Sequence, residues 1–357
     1  MTSRLRALTL GLGLAALSLA ALALAPVSLP ARAASDLETR SFTIPSGEAG
    51  IELFMRNKRK AGVTSFGPDR TLLFVHGATY PAETAFDLPI EGVSMMDLFA
   101  EAGFDVYLVD VRGYGGSTRP AAMSEPADKN KPIVSTADAI ADFGAAVDHI
   151  LQSRGLAKID VMGWSWGTSI AGGYTATHND KVNRLVLYAP LWLFKEGTPV
   201  LASGSLGAYR LVSRDAAKDR WLRGVAEDKK AALIPQGVFE AWADATWATD
   251  PDTAKNDGKL RAPNGVVQDI SDYWIAGKPF YDPAQITVPT LLIHAEWDAD
   301  LPSYQAQGFF AKLVNTPYKR FVELGEGTHT VMMEKNRMQF FHEVRGFLEE
   351  TAPQALR

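Results

Sequence analysis

No cysteine occurs in the 357-residue sequence. This absence excludes disulfide bonds, thiolate nucleophiles, iron–sulfur clusters, cysteine-ligated zinc and lipid attachment through cysteine. An excess of positive charge is also lacking, because 36 Lys and Arg residues stand against 41 Asp and Glu residues, for a net charge of −5. The chain therefore offers no overall basic field for nucleic-acid phosphates. We expect its short basic run, Arg56–Lys60, to be the solvated end of a hairpin.

Neither charge nor hydrophobicity is extreme, since 22% of the residues are charged and 46% are hydrophobic. These fractions exclude a disordered chain, a collagen repeat and a coiled-coil rod. At about 150 residues per domain, the length suggests about two domains and a sizeable buried core. We therefore expect a globular protein of the α/β class.

The N-terminal segment 1–33 differs from the rest and has the features of an export signal. Arg4 and Arg6 precede an apolar run from Ala7 to Ala25, and Ala31-Arg32-Ala33 supplies the small residues that signal peptidase requires. We predict a cleaved signal peptide and a periplasmic or secreted mature protein. The apolar run is also close to the length of a membrane span, so a retained N-terminal membrane anchor is the alternative.

Short apolar segments rich in β-branched residues recur along the remaining chain. Five of them lack strict alternation, which is typical of strands buried on both faces of a parallel sheet. They are Arg70–His76, Phe104–Asp110, Lys158–Gly163, Asn183–Ala189 and Pro289–His294. Tyr318–Leu324 predicts a last strand nearer an edge, and Ser41–Ile44 with Ile51–Met55 predicts an opening hairpin.

Amphipathic segments separate these strands. The clearest predicted helix starts at Ser135, has Asp138 in a capping-box position and stops at Gly155. Further helices are predicted at Ser94–Ala102, Thr168–Thr177, Pro302–Val314 and Glu334–Leu348. Strands that alternate with helices in this way indicate an α/β fold with a mainly parallel sheet.

The alternation is interrupted between Ala189 and Pro289, where no convincing strand occurs. Helical patches at Asp215–Val225 and Val238–Thr246 lie in this interval, together with five tryptophans. The tryptophans either form the core of an inserted element or line a site for an apolar part of a substrate. We interpret the interval as a helical cap and divide the chain after the signal into a first core segment at 34–190, the cap at 191–287 and a second core segment at 288–357.

One motif, Gly163-Trp164-Ser165-Trp166-Gly167, follows a predicted buried strand and opens a predicted helix. In that context G-x-S-x-G is typical of a nucleophile elbow, a sharp turn with a strained serine backbone. The residues two positions away on either side must lack side chains for the turn to form. The turn holds the hydroxyl clear of the sheet, and the N-terminus of the next helix favours developing negative charge. Ser165 is therefore the candidate nucleophile.

A serine nucleophile requires a general base, and six histidines are available. Four fall in predicted helices or strands and are expected to be structural: His149, His178, His294 and His342. His76 is expected to support the loop that follows its strand. His329 lies in the loop between the last predicted strand and the last helix, where a base could reach Ser165. We therefore predict His329 as the general base.

An acidic residue should orient that histidine and stabilise its charged form. The segment after the strand at 289–294 offers Asp298, the preferred candidate, and Asp300, the second choice. Glu196, which follows the preceding strand, is the third. The alternative role of Asp300 is an N-terminal cap for the helix that begins at Pro302.

Backbone N–H groups should bind the negative oxygen that forms during acyl transfer. Trp166, directly after the candidate nucleophile, supplies one donor. The loop at 76–81 should supply the other, with Ala78 preferred and Thr79 as the alternative. No pair of histidines has the spacing of metal ligands, and no glycine-rich phosphate loop occurs outside the export signal. We therefore expect no cofactor and no metal.

These features resemble the α/β-hydrolase fold over roughly residues 40–350. The resemblance rests on three parts of the sequence: the order Ser165, Asp298, His329, the His76-Gly77 loop, and the turn Asp110–Ser117. It implies a mainly parallel sheet flanked by helices, a lid formed by the insertion and a structural role for the Asp110–Ser117 turn. Three residues depart from those common in that family: Thr79, Thr168 and Ala295.

A serine at position 165 argues against the epoxide-hydrolase and haloalkane-dehalogenase branches, which attack with a carboxylate. The HGGPG-type loop of proline iminopeptidases is absent. The resemblance therefore implies an exported hydrolase that cleaves small carboxylic esters or lactones, with an apolar portion, through an acyl-enzyme. The same triad also performs C–C bond hydrolysis, amide cleavage and acyl transfer. A binding module without catalytic activity is a further alternative.

Overall fold

The computed structural model of the protein describes residues 36–197 and 205–351. The predicted export signal at 1–33 lies outside the described residues. Within the described ranges, no helix is both long enough and apolar enough to span a bilayer.

A central sheet of eight strands and a small sheet of two strands form within the described residues. In chain order, the strands are β1 (Leu37–Pro45), β2 (Glu52–Lys60), β3 (Thr71–Val75), β4 (Asp105–Val109), β5 (Ile159–Trp164), β6 (Val182–Tyr188), β7 (Tyr209–Val212), β8 (Leu260–Pro263), β9 (Thr290–Ala295) and β10 (Lys319–Leu324). The central order is β1-β2-β4-β3-β5-β6-β9-β10. Only the pairs β1–β2 and β2–β4 of this sheet are antiparallel. The predicted mainly parallel sheet is confirmed.

The helices of the described residues flank this sheet and form the insertion. They are α1 (Ala82–Phe86), α2 (Met95–Glu101), α3 (Thr136–Arg154), α4 (Trp166–Thr177), α5 (Arg214–Trp221), α6 (Glu227–Leu233), α7 (Val238–Ala248), α8 (Gly265–Asp269), α9 (Ser303–Lys312) and α10 (Arg337–Glu349). The capping box predicted for α3 is confirmed, because Ser135 and Asp138 each accept a hydrogen bond from the other's backbone N–H. Gly155 ends the helix in the left-handed conformation, with φ of 65°.

Burial explains why most strands could be predicted from their sequence. Every residue of β3, β4, β5 and β9 is buried, so these strands read as continuous apolar runs. The last strand, β10, is largely half-buried at the edge of the sheet, as predicted.

The prediction for the basic run Arg56–Lys60 was wrong. These residues form the second half of β2 and pair with β1, and the first three of them also pair with β4. Lys58 forms ion pairs with Asp87 at 2.6 Å and Asp97 at 2.7 Å. The positive charges are neutralised by acidic residues distant in sequence, so the run continues the strand where its charge pattern suggested a solvated end.

The insertion between β6 and β9 differs from the prediction in one respect. It contains α5–α8, but it also contains the antiparallel pair β7–β8, in an interval where no strand was expected. Each of the two strands has four residues and includes an arginine, and their partners are about 50 residues apart in sequence. Such short strands carry no apolar pattern of their own and form only through their pairing.

Several tryptophans of the insertion pack on one another. The ring centroid of Trp242 lies 5.2 Å from that of Trp221 and 6.0 Å from that of Trp247. All three side chains are buried. These rings therefore pack as a core of the insertion. Trp221 and Trp242 also line a small cavity together with His329, so both predicted roles remain.

A buried carboxyl in β5 makes the stability of the fold depend on pH. One oxygen of Asp160 accepts a hydrogen bond from Asn183 Nδ2 at 2.8 Å, and the other has no partner among the described residues. Burial raises the pKa of Asp160 to about 8, so the neutral acid is the favoured form in the folded protein.

We expect Asp160→Asn to stabilise the fold more at pH 8 than at pH 5. Between about pH 4 and about pH 8 the unfolded wild type loses a proton that the folded wild type keeps, so its stability falls as pH rises. Asparagine has no proton to lose. Thermal melts across this range check the prediction, with the exposed Asp128→Asn as the control for loss of one charge. A difference in Tm between D160N and wild type that does not change with pH would contradict it.

Candidate active site

Ser165 occupies the turn between β5 and α4, as predicted. Its backbone has φ of 59° and ψ of −121°, a strained conformation for a residue with a side chain. Its N–H donates to the carbonyl oxygen of Tyr188 on the neighbouring strand β6, at 2.9 Å. The strained turn therefore stays fixed to the sheet and holds the serine at the end of the strand.

The glycines of the motif are required by close approach of the backbone. A Cβ added to Gly163 would lie 2.1 Å from the carbonyl oxygen of Gly167. One added to Gly167 would lie 2.6 Å from the carbonyl oxygens of Val75 and His76, at the end of β3. Real Cβ atoms do not approach oxygen so closely, so both positions exclude side chains.

His329 and Asp298, predicted as base and acid, are in direct contact. His329 Nδ1 donates to Asp298 Oδ2 at 2.8 Å. The other carboxylate oxygen accepts the backbone N–H groups of Asp300 at 2.9 Å and Leu301 at 3.0 Å. These bonds fix the carboxylate, which in turn fixes the imidazole tautomer with its proton on Nδ1.

The second nitrogen of His329 is available for proton transfer. Nε2 is buried and has no hydrogen-bond partner among the described residues. The carbonyl oxygen of the same residue accepts the indole N–H of Trp164 at 2.8 Å. Since Trp164 directly precedes Ser165, this bond ties the candidate base to the turn of the candidate nucleophile.

The other acids considered from sequence have different environments. Asp300 forms ion pairs with Arg220, at 2.6 Å, and with Arg223. It does not cap α9, whose N-cap residue is Pro302 and has no side-chain capping bond, so the capping role anticipated for Asp300 was wrong. Glu196 is exposed in the loop after β6.

His76 supports the loop after β3, in agreement with the sequence analysis. Its Nδ1 donates to the carbonyl oxygen of Gly77 at 2.7 Å, and its Nε2 accepts the N–H of Val111 at 3.1 Å. Burial lowers the pKa of His76 to about 4, which keeps the ring neutral at physiological pH. The ring therefore links the loop after β3 to the turn after β4.

The turn Asp110–Ser117 has the predicted structural role. Asp110 accepts the N–H of Ala82 at 2.6 Å and that of Gly116 at 3.1 Å. A Cβ on Gly115, which has φ of 49°, would lie 1.9 Å from Asp110 Oδ2. The carboxyl thus joins the start of α1 to this turn, and glycine is required where the two meet.

The candidate oxyanion loop lies against the serine. A Cβ on Gly77 would be 2.9 Å from Ser165 Cβ and 3.4 Å from Ser165 Oγ. The N–H groups of Ala78 and Trp166 are free of hydrogen bonds to other described residues. Thr79 has φ of 90°, an unusual value for a β-branched residue, and its Oγ1 accepts a hydrogen bond from Arg210 at 2.5 Å. A residue of the insertion therefore holds a strained position in this loop.

Glu334, which the sequence analysis placed at the start of the last helix, is a residue of this site. That helix begins at Arg337, and Glu334 is a buried carboxyl that accepts the N–H of Thr328 at 2.9 Å, the indole N–H of Trp221 at 2.8 Å and the hydroxyl of Thr330 at 3.2 Å. Burial raises its pKa. The available signal was an acidic residue directly after the apolar run 331–333.

Two cavities adjoin these groups. The smaller has a volume of about 20 Å³ and is lined by His329 and Trp164. The larger, of about 440 Å³, is lined by Ala78. Tyr80 and Arg220 line both cavities. The smaller cavity therefore adjoins the candidate base, and the larger adjoins the candidate oxyanion donor Ala78.

Within the described ranges, no cluster of three or more His, Asp or Glu side chains is arranged to hold a metal ion. The side chains assembled at the site are those of nucleophilic catalysis: a hydroxyl on a strained turn, an imidazole with one free nitrogen and a fixed carboxylate.

Comparison with known proteins gives the same fold. The family model for the alpha/beta hydrolase fold matches residues 70–336. A proline iminopeptidase of Neisseria meningitidis serogroup A is 28% identical over 131 residues, which is 37% of each chain. A proline iminopeptidase of Xylella fastidiosa is 22% identical over 226 residues, covering 57% of this chain and 68% of the relative. The protein thus spans little more than a third of the length of the Neisseria relative.

A solved structure supports the assignment of the fold. A serine hydrolase from the polyaromatic-hydrocarbon-degrading bacterium Cycloclasticus zankles superposes with a TM-score of 0.59 and 15% identity, covering 87% of this chain and 98% of that chain. The family match extends from β3 to the end of the loop that carries His329 and Glu334. The chain belongs to the α/β-hydrolase fold family.

Proposed function

We propose that the protein hydrolyses carboxylic esters, lactones included, through a triad of Ser165, His329 and Asp298. The observation that carries the proposal is the geometry of His329, whose Nδ1 is held by Asp298 at 2.8 Å while Nε2 remains free. This is the arrangement that allows an imidazole to take a proton from a serine hydroxyl.

Each step of ester hydrolysis has a residue available for it. Ser165 Oγ attacks the carbonyl carbon while its proton moves to His329 Nε2, and the backbone N–H groups of Trp166 and Ala78 donate to the oxyanion. Collapse of this intermediate breaks the bond to the alcohol oxygen, which receives the proton from Nε2. A water molecule then attacks the acyl-enzyme with the same base, and the acid and the free serine are released.

Export forms part of the same proposal. Arg4, Arg6, the apolar run from Ala7 to Ala25 and the small residues at 31–33 support a signal peptide, and hence action in the periplasm or outside the cell.

Peptide cleavage is the main competing function, since the curated relatives reported above are named proline iminopeptidases. A peptide with a free amino terminus is cationic at neutral pH and needs a negative group to bind it. Among the described residues that line the two cavities, Asp300 is the acidic one, and it is already paired with Arg220 and Arg223. Arg210, which has no acidic partner among the described residues, instead presents positive charge, which favours a neutral or acidic ester over an amine.

Replacement of either Ser165 by Ala or His329 by Gln should lower the turnover of p-nitrophenyl butyrate by about 10⁴-fold or more. The exposed His342→Gln is the matched control and should keep full activity. A fluorophosphonate probe should label the wild type but not Ser165→Ala. Full turnover by Ser165→Ala would overturn the triad, whereas a higher kcat/KM for L-proline p-nitroanilide than for any ester or lactone would overturn the substrate class alone.

Glu334→Gln should lower kcat about 10-fold and leave KM nearly unchanged. An amide nitrogen in place of Oε2 would face the N–H of Thr328, so the segment on which His329 lies would lose a bond that holds it. Trp221→Phe removes a single donor to the same carboxyl and serves as the milder control. Steady-state kinetics and thermal melts distinguish the outcomes: a loss of Tm with unchanged kcat would show that Glu334 stabilises the fold without positioning the base.

A further inference from the structure

The larger cavity contains an arginine that has no acidic partner. Arg210 lies on β7 of the insertion and lines the cavity together with Ala78 and Thr79 of the oxyanion loop. Its guanidinium donates to Thr79 Oγ1 at 2.5 Å and to the carbonyl oxygen of Pro263 at 2.6 Å, and it makes longer contacts of 3.5 Å to the carbonyl oxygen of Ala262 and to Asn264 Oδ1. All of these acceptors are neutral, and no described carboxylate lies within ion-pair distance of Arg210.

The neighbouring strand shows how an arginine of this insertion is otherwise neutralised. Arg261, on β8, pairs with Asp250 at 2.5 Å and also with Asp252. Burial lowers the pKa of Arg210, and the charge of Arg220 lowers it further, whereas Tyr114 and Tyr80 oppose this effect. An arginine nevertheless stays protonated in proteins, so Arg210, which is half-buried in the cavity wall, keeps a charge that no described carboxylate neutralises.

The geometry around Arg210 fits an anion that enters through the cavity. Its Nε–H is engaged by no described residue, and the guanidinium already reaches Thr79 beside the oxyanion donor Ala78. Other walls of the cavity are apolar, and they include Val212, Val266 and Ile270. A planar guanidinium fork matches a carboxylate, and the apolar walls match the hydrocarbon chain that carries it.

We propose that Arg210 binds a carboxylate of the substrate, so that the enzyme acts on acidic acyl compounds in which a short hydrocarbon chain separates the reacting carbonyl from a carboxylate. The inference rests on the ester-hydrolase function proposed above, and it adds the substrate class. A cavity of about 440 Å³ lies within the range of pockets that hold small organic ligands.

Two pairs of esters test this proposal, each consisting of an acid and its neutral methyl ester. p-Nitrophenyl hydrogen adipate and p-nitrophenyl methyl adipate carry the second group on the acyl side, whereas 4-butyryloxybenzoate and its methyl ester carry it on the alcohol side. We expect the wild type to prefer the acid in the adipate pair by about 10- to 100-fold in kcat/KM, the effect of one charge-assisted hydrogen bond. Equal kcat/KM for acid and neutral ester in the adipate pair, or a preference in the benzoate pair alone, would overturn the proposal.

Arg210→Gln should abolish this preference by lowering kcat/KM for the acid more than for the neutral ester. Arg210 also supports the oxyanion loop through its hydrogen bond to Thr79, and Thr79→Ala tests this role separately. The substitution removes the contact but keeps the charge, so it should lower kcat/KM for the acid and for the neutral ester equally. Arg214→Gln removes an exposed charge from the same insertion and should leave the preference intact. If Arg210→Gln lowers kcat/KM equally for the acid and the neutral ester, Arg210 supports the loop only, and the proposed carboxylate site is overturned.

Binding of adipate, measured by calorimetry, separates this proposal from the proposed activity. Adipate should bind to Ser165→Ala and bind at least about 10-fold more weakly to the double variant that also carries Arg210→Gln. If no ester is hydrolysed but this difference is found, the hydrolase assignment fails and the carboxylate site stands. If esters are hydrolysed but adipate binds both variants equally, the site fails and the activity stands.

Discussion

The close contact between the turn at Ser165 and the end of β3 is the constraint on which the rest of the site depends. Gly167 allows the first turn of α4 to pass within contact distance of the carbonyl oxygens of Val75 and His76. This contact brings the helix N-terminus, the serine and the loop after β3 to the same point at the carboxyl edge of the sheet. Without it, a strained serine would have no donor loop beside it, and the strain would bring no catalytic advantage.

The candidate base His329 lies in the loop after β10, and its segment is held there by buried polar groups. Trp164 donates to the carbonyl oxygen of His329, and Glu334 binds Thr328 and Thr330 on either side of it. Because Glu334 also accepts the indole N–H of Trp221, the segment that carries His329 is joined to the insertion as well as to the core. Movement of α5 relative to the sheet would therefore disturb the position of the candidate base.

The residues that could be predicted from sequence are those with local signals. Ser165 lies in a five-residue motif between a strand and a helix, and Asp298 and His329 follow predicted strands in short loops. Arg210 has no such signal, since its role comes from Thr79, which is more than 100 residues away. Glu334 has only an acidic residue after an apolar run as its signal, and its contact with Trp221 is equally distant in sequence. The pair β7–β8 and the charged half of β2 were missed for the same reason, because their partners are distant in sequence.

Electrostatics connects the insertion to the choice of substrate. Arg220 and Arg223 share the carboxylate of Asp300, and Arg261 has Asp250 and Asp252, so each of these arginines has an acidic partner within the protein. Arg210 differs because its polar partners, Thr79 and Pro263, are neutral. A folded protein tolerates such a charge at a cost in stability, which a structural role alone would not require, since a neutral donor could hold Thr79 equally well. The carboxylate proposed as part of the substrate would bring into the cavity the negative charge that the described residues do not place beside Arg210.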